Sequence, residues 1–279
     1  MSAHDLPRRR FRPSALAGFL LALCASACTA PETPAPASAP APTPTSAAAS
    51  LPWHDAQQLV LVVTDGWDAT SGTLQRFERQ GEQWKPAAPA APIAVGRHGA
   101  AWGLGLHPAQ ADGPQKQEGD GRAPAGVFTL GEAFGYAGQD GTRMPYRPMQ
   151  DTSYCIDVPD SPLYNRIVDT REVGEDAAKG STEPMRLDLR NDGDPRYRKG
   201  LVIGHNTGAV PRAGSCVFAH LWRQPGEPTA GCTAMAAETM DAMFAWLRPD
   251  ARPVFVLLPR AEYQRLAGEW RLPAPEAAP

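Results

Sequence analysis

Short runs of apolar and β-branched residues, separated by Gly- and Pro-rich segments, recur along most of this chain. Runs of this length bounded by turn residues are typical of buried strands. The pattern predicts strands over Leu59–Thr64, Thr73–Arg79, Pro92–Gly96, Val127–Leu130, Leu201–Gly204, Cys216–His220 and Val254–Leu258. Many short strands with this punctuation favour a mainly β domain with a few helices (α+β), built as a sandwich or a barrel-like sheet.

Helical periodicity is clear in one place. After Cys232, four apolar residues fall at helical spacing: Met240, Met243, Phe244 and Leu247. Arg248-Pro249 then ends the predicted helix. Residues Arg260–Trp270 form a second helix candidate. The segment from Asp140 to Arg198 is long, polar and Pro-rich, which predicts loops around a cleft.

The N-terminal composition predicts export. A basic Arg8–Arg10 cluster precedes the apolar stretch Ala15–Ala27, which is too short for a comfortable bilayer span and suits a signal peptide over 1–28. The small residues that lead into Cys28 resemble a bacterial lipobox, although Ala25 stands where such motifs prefer Leu. We expect lipidation at Cys28 and a place in the periplasm or cell envelope; the alternative is ordinary cleavage without a lipid.

Composition divides the rest of the chain. Residues 29–52 are almost only Pro, Ala, Thr and Ser, which predicts an extended tether. Residues 53–270 are expected to form one folded domain, and 271–279 a disordered tail. The net charge is −3 with both signs interleaved, and no basic stripe is present, so the sequence argues against a nucleic-acid partner.

The number and positions of the cysteines indicate which of them could be a free, reactive thiol. Five cysteines are encoded, of which Cys24 lies in the predicted signal peptide and Cys28 is the lipidation candidate. In an exported domain, three remaining cysteines leave an odd thiol that is either unpaired by accident or held free for reactivity. Pairing Cys155 with Cys216 leaves Cys232 reduced for chemistry; the alternative is that the first two are small buried hydrophobes that never meet.

The segments Gly214–Trp222 and Thr229–Thr233 carry the candidate chemistry. A predicted strand ends at His220, and Gly231-Cys232 follows a short loop, ahead of a predicted helix. An imidazole that takes the thiol proton, with a helix start near the sulfur, suits thiolate catalysis. Gly231 allows a substrate carbonyl to approach the backbone, where N–H groups at or beside Cys232 are natural oxyanion donors.

These segments resemble the L,D-transpeptidase catalytic-domain family (YkuD-like). The resemblance runs from about Gln57 to Leu258 and centres on Gly-Ser-Cys-Val-Phe-Ala-His-Leu-Trp and Thr-Ala-Gly-Cys-Thr-Ala-Met. Other matching pieces, weak separately, occur in the family's order: Val95–Arg97, Glu118–Arg122, Pro124–Phe128, Tyr164–Arg166 and Gly204–Asn206.

The resemblance implies a single L,D-transpeptidase-like β-sandwich domain that transfers acyl groups on peptidoglycan stem peptides. Cys232 would attack the carbonyl before a terminal D-residue, with His220 as base held by the Leu221 carbonyl, and an amine or water would resolve the thioester. No metal or organic cofactor is implied. The expected substrate-binding residues are His205, Asn206, Trp222, Thr229, Tyr164 and Asn165.

The chain departs from the family pattern at two places. The usual Ser-His-Gly-Cys is Thr229-Ala230-Gly231-Cys232, which keeps the hydroxyl and loses a His. The frequent Arg two places after the Cys is Ala234, which leaves substrate choice open.

The same residues are compatible with other functions. An L,D-carboxypeptidase or a crosslink-cleaving amidase would use the same Cys/His site, and a lipoprotein that only binds peptidoglycan would use neither residue. Cys216, His220 and Cys232 also form a candidate zinc set. Glu118–Gly121 is a weak calcium candidate and is more typical of a tight turn.

Overall fold

Eight strands close into a barrel in the computed structural model, which describes residues 50–275, all within one compact unit. The predicted signal peptide, Cys28, most of the tether and residues 276–279 of the tail lie outside the described residues. Along 50–275, no helix has the length and apolar character needed to cross a membrane.

The strands are β1 (Gln58–Thr64), β2 (Ser71–Gln80), β3 (Gln83–Pro86), β4 (Ala91–Ala94), β5 (Ala100–Trp102), β6 (Ala123–Gly135), β7 (Tyr146–Pro148), β8 (Ser153–Cys155), β9 (Ile167–Asp169), β10 (Glu183–Pro184), β11 (Lys199–Ile203), β12 (Phe218–Leu221), β13 (Thr233–Met235) and β14 (Val254–Pro259). The helices are α1 (Thr170–Val173), α2 (Leu187–Arg190), α3 (Ala237–Trp246) and α4 (Arg260–Leu266). Short 3₁₀ turns cover Glu175–Ala178, Arg196–Arg198 and Pro249–Ala251.

The barrel order is β1-β14-β6-β11-β12-β13-β4-β2, and the β1–β2 pairing closes the circle. The β1–β14 and β12–β13 pairs are parallel, and the other pairs around the barrel are antiparallel. Strands β10, β8 and β9 form a separate small sheet inside the 140–198 segment.

Burial explains why two strands read as continuous apolar runs. Every residue of β1 and β14 is buried, so both faces of these strands are covered. Met240, Met243 and Phe244 of α3 are buried as the helical spacing requires, which confirms that helix. The second helix ends at Leu266, four residues before the predicted end at Trp270.

The mainly β, α+β class is confirmed, whereas a β-sandwich is not, because the sheet closes on itself. Two local predictions near the candidate site are wrong. The strand at Cys216–His220 begins only at Phe218, since Cys216 has a positive φ of 53°. No helix directly follows Cys232, because β13 comes before α3 begins at Ala237.

Candidate active site

His220 and Cys232 are brought together by neighbouring parallel strands. His220 lies on β12 opposite Ala234, and Cys232 comes directly before β13. Two residues before His220 on β12, the Phe218 N–H donates a hydrogen bond to Cys232 Sγ at 3.3 Å. Both side chains line one cavity of about 540 Å³. The ladder between two strands thus fixes the nucleophile candidate relative to the base candidate.

Cys232 is a protonated thiol at rest. Its side chain is 8% exposed, and besides the Phe218 contact its Sγ lies 3.6 Å from the Cys216 carbonyl oxygen, to which the thiol donates. Burial, and next the negative charge of Glu183, raise the pKa of the thiol to about 12, although the Phe218 N–H opposes this shift. A thiol in this state needs a base at the moment of attack.

His220 is a neutral imidazole that lines the same cavity. Its Nδ1 lies 2.7 Å from the Leu221 carbonyl oxygen, and because a carbonyl only accepts, Nδ1 carries the proton. Nε2 therefore keeps its lone pair. Burial lowers the pKa of the imidazole to about 4, partly offset by the Leu221 bond, so the ring is neutral near pH 7. The predicted contact with Leu221 is present in the structure.

The predicted support of the sulfur by a helix start is absent. The residues between Cys232 and α3 form β13 and a linker at Ala236, so the dipole of α3 does not begin at Cys232. A helix dipole acts mainly within its own terminal turn. The Phe218 N–H takes the place of that interaction as the backbone donor to sulfur.

Thr229 organises the loop that carries the cysteine. Its hydroxyl accepts a hydrogen bond from the Gly231 N–H at 3.0 Å and donates to the Cys232 carbonyl at 2.7 Å. Its backbone bonds to Val95 and Arg97, which ties the loop to the end of β4. Thr229 lines the cavity as predicted, but its hydroxyl is already used within the loop.

Gly231 could not be replaced without strain. Its φ is 155°, and a Cβ at this position would lie 3.0 Å from the Arg122 carbonyl oxygen. Since its N–H is bonded to Thr229, it is not a free oxyanion donor in this state. Glycine here permits the close packing of the loop against the Arg122 backbone.

A disulfide joins Cys155 to Cys216, with an S–S distance of 2.05 Å, and Cys232 is the free cysteine of the described range. The Cys216 N–H donates to Asn165 Oδ1 at 2.8 Å. This disulfide removes Cys216 as a zinc ligand, because a metal requires the thiolate. Residues 50–275 contain no group of three side chains suited to hold a metal.

Several predicted substrate-binding residues have polar side-chain groups that are hydrogen-bonded within the protein. His205 is 2% exposed, accepts from the Leu104 N–H at Nδ1 and donates from Nε2 to the Ala213 carbonyl. Asn206 is buried, with its amide bonded to Val210 and Gly214.

Asn165 adopts a positive φ of 61° and bonds the carbonyls of His205 and Asn206 as well as Cys216. It therefore holds together the two chain segments next to the site. Trp222 is half-buried and is not among the residues that line the Cys232 cavity.

Tyr164 reaches the cavity wall indirectly. Its hydroxyl donates to Glu118, which also accepts from the Ser215 hydroxyl at 2.8 Å. Asp120 is likewise held by Lys116 and by the Gln117 and Arg122 N–H groups. The carboxylates of Glu118 and Asp120 are thus both bonded to neighbouring groups of the protein.

The 140–198 segment supplies cavity residues that the sequence did not single out. Tyr197 places its ring 5.2 Å from the His220 ring at 74° and donates its hydroxyl to Glu183 Oε1 at 2.5 Å. Arg196 is bonded to Asp194 through Nε and Nη2. The segment lines part of the cavity as predicted, but it contains β7–β10, α1 and α2 rather than loops alone, and no periodicity marked these residues.

Comparison with known proteins gives no matching protein family and no matching curated protein. A solved structure titled "Structure of Bdellovibrio bacteriovorus Bd1075" aligns with a TM-score of 0.37 and 10% sequence identity, over 77% of this chain and 55% of that one. The chain thus spans about half the length of that protein. A TM-score this low does not establish a shared fold.

Proposed function

We propose that this protein is an L,D-transpeptidase that acts on peptidoglycan stem peptides through a Cys232 thioester. The observation that carries the proposal is the pair in one cavity: the Cys232 thiol, and a neutral His220 whose Nδ1 is bonded to the Leu221 carbonyl. The substrate class, peptidoglycan stem peptides, comes from the sequence motifs, which occur in the same order as in the L,D-transpeptidase family. Residues 53–270 form its L,D-transpeptidase-like catalytic domain.

The first half-reaction follows from the protonation states. The thiol proton moves to His220 Nε2 as Sγ attacks the carbonyl before the terminal D-residue, because neither group is ionised at rest. The Phe218 N–H stabilises the negative charge that develops on sulfur. His220 then returns the proton to the departing amine, and the donor remains as a thioester.

No third side chain is needed to orient the base. In a Ser-His-Asp triad a carboxylate fixes the imidazole, whereas here a backbone carbonyl does so. Because this carbonyl carries no net charge, it stabilises an imidazolium less than a carboxylate would. Proton transfer is therefore coupled to attack rather than complete before it.

The location of the proposed enzyme is the periplasm or cell envelope, with an anchor through Cys28. A lipid there and the Pro/Ala-rich tether would hold the domain near a membrane while leaving it within reach of peptidoglycan.

The test is incubation with purified disaccharide-tetrapeptide, with products identified by mass spectrometry. Release of the terminal residue together with a crosslinked dimer is expected. Release without dimer would make the protein an L,D-carboxypeptidase, and cleavage of supplied crosslinks would make it an amidase. No change in any of these substrates would contradict catalysis and favour a peptidoglycan-binding lipoprotein.

A further inference from the structure

Glu183 is a second ionisable group in the Cys232 cavity. It lies on β10, opposite Cys155 of β8 in the small sheet, and lines the same cavity as Cys232 and His220. Tyr197 connects it to the base, since the hydroxyl bonds Glu183 and the ring packs edge-on against His220. The first half-reaction described above makes no use of this carboxyl.

One oxygen of Glu183 is available to a ligand. Oε1 accepts from Tyr197, and among residues 50–275 no hydrogen bond reaches Oε2. Arg196 does not pair with Glu183, because it is bonded to Asp194. Asp157, a neighbouring carboxylate in the cavity, accepts instead from the Thr182 N–H and hydroxyl.

The surroundings of Glu183 tune its basicity. Burial is the main cause that raises the pKa of this carboxyl to about 7, and the charges of Asp157 and Glu118 act in the same direction. The Tyr197 hydrogen bond and the charge of Arg196 oppose them. Glu183 is thus a stronger base than His220, whose pKa is lowered to about 4.

The second half-reaction, in which an acceptor amine attacks the thioester, requires a basic group near the acceptor. An amine acceptor arrives as an ammonium ion, which is not nucleophilic until it loses a proton. A water molecule carries no positive charge, so it needs neither a negatively charged binding group nor the loss of a proton from an ammonium ion. A carboxylate with an open oxygen both binds the ammonium ion and accepts its proton.

We propose that Glu183 receives the ammonium group of the acyl acceptor and takes one proton from it before the amine attacks the Cys232 thioester. This inference rests on the proposed function. The nitrogen lone pair forms the C–N bond, and the C–S bond breaks with its electrons on Sγ. The second nitrogen proton passes through His220 to Sγ, and Glu183 releases its proton to solvent. Thioester plus ammonium therefore gives amide, thiol and one proton.

The experiment measures how the acyl-enzyme partitions. The full-length protein is given disaccharide-tetrapeptide as donor and a stem peptide with a free amine as acceptor, and amide and hydrolysis products are quantified. In Glu183→Gln, the ratio of amide to hydrolysis product should fall about 100-fold, the scale of a lost general base. The rate of Cys232 acylation should not fall, because loss of the Glu183 charge removes one cause that raises the pKa of the thiol; retained acylation shows that the folded site is intact.

Two further variants sharpen the result. Glu172→Gln removes an exposed carboxylate of α1 in the same segment and should leave the ratio unchanged. Tyr197→Phe keeps the ring against His220 but removes a hydrogen bond that lowers the pKa of Glu183. The rising limb of the aminolysis rate against pH should therefore move to higher pH in Tyr197→Phe.

An unchanged product ratio in Glu183→Gln, with normal acylation, would overturn the role of Glu183. A wild-type protein that acylates and only hydrolyses would also overturn it, while leaving acyl transfer to water intact. A wild-type protein that never acylates at Cys232 would refute the proposed function itself, and the role of Glu183 with it.

Discussion

The Leu221 carbonyl oxygen lies 2.7 Å from Nδ1 of His220, the residue directly before it in the chain. A backbone group of the same strand therefore fixes the imidazole tautomer. Because the bond is local, the orientation of the imidazole depends on β12 remaining paired with β11 and β13. The same strand also presents the Phe218 N–H to Cys232 Sγ.

The reactivity of Cys232 should report a protonated resting thiol. Because the pKa of this thiol is raised to about 12, its alkylation rate by iodoacetamide should keep rising with pH, without a plateau up to about pH 10. The alkylated Cys232 peptide is followed by mass spectrometry. In the denatured chain the same peptide should level off near the ordinary thiol pKa of about 8.5. A plateau near neutral pH in the folded protein would instead show a preformed thiolate.

The Thr229 hydroxyl should matter more than its methyl group. Thr229→Val removes the bonds to the Gly231 N–H and the Cys232 carbonyl, so the loop loses its internal support. We expect acylation of Cys232 to slow by about tenfold or more, and the free energy of unfolding to fall by about 1–3 kcal/mol.

Thr229→Ser is the matched control, because it keeps the hydroxyl. It should retain most of the acylation rate in the same assay. Equal rates in the Val and Ser variants would show that the hydroxyl does not position the cysteine.

The disulfide should contribute to stability across a long loop. Its sequence separation is 61 residues, and replacing both Cys155 and Cys216 by Ala should lower the free energy of unfolding by about 2–4 kcal/mol in urea titrations. Reductant should destabilise the wild-type protein and leave the double variant unchanged. A reductant effect of equal size on both proteins would place the redox-sensitive bond elsewhere.

Acid should destabilise the protein through its buried histidines. Burial lowers the pKa of His205 and of His220 to about 4, and it also lowers that of His107. Each contribution is complete above the unfolded pKa of about 6.5, and it decreases as the pH falls, because the unfolded chain binds the proton first.

Glu183 works in the opposite direction. Its folded pKa is raised to about 7, so the unfolded chain loses this proton first and stability falls as the pH rises towards 7. Since three buried histidines act in one direction and Glu183 in the other, the free energy of unfolding should fall between about pH 6.5 and pH 4.5. Glu183→Gln should steepen that fall in urea titrations. Constant stability over this range would contradict the buried neutral histidines.

The parts of the fold with strong periodic or continuous patterns could be predicted. The α3 helix has apolar residues at helical spacing, and β1 and β14 are continuous apolar runs because both of their faces are buried. The strand pattern allowed either a sandwich or a barrel-like sheet and could not decide between them, since closure depends on β1 pairing with both β2 and β14. The three residues of β13 are too few to show a period, which is why a helix was expected there.

Only those residues of the candidate site that lie close together along the chain could be predicted from the sequence. Cys232 and His220 stand in short adjacent motifs, and the structure puts both in one cavity. Glu183 and Tyr197 lie in an irregular segment, where only the tertiary arrangement shows their proximity. His205 has the residue type of a catalytic group, yet both ring nitrogens bond to backbone, which no sequence pattern reveals.

The most direct test is intact-mass spectrometry of the protein after incubation with disaccharide-tetrapeptide, beside Cys232→Ala. We predict that the wild-type protein gains the mass of the donor less its terminal residue, on the peptide that contains Cys232, and that Cys232→Ala gains none. Product formation at equal rates in Cys232→Ala would contradict the proposal that this thiol is the nucleophile.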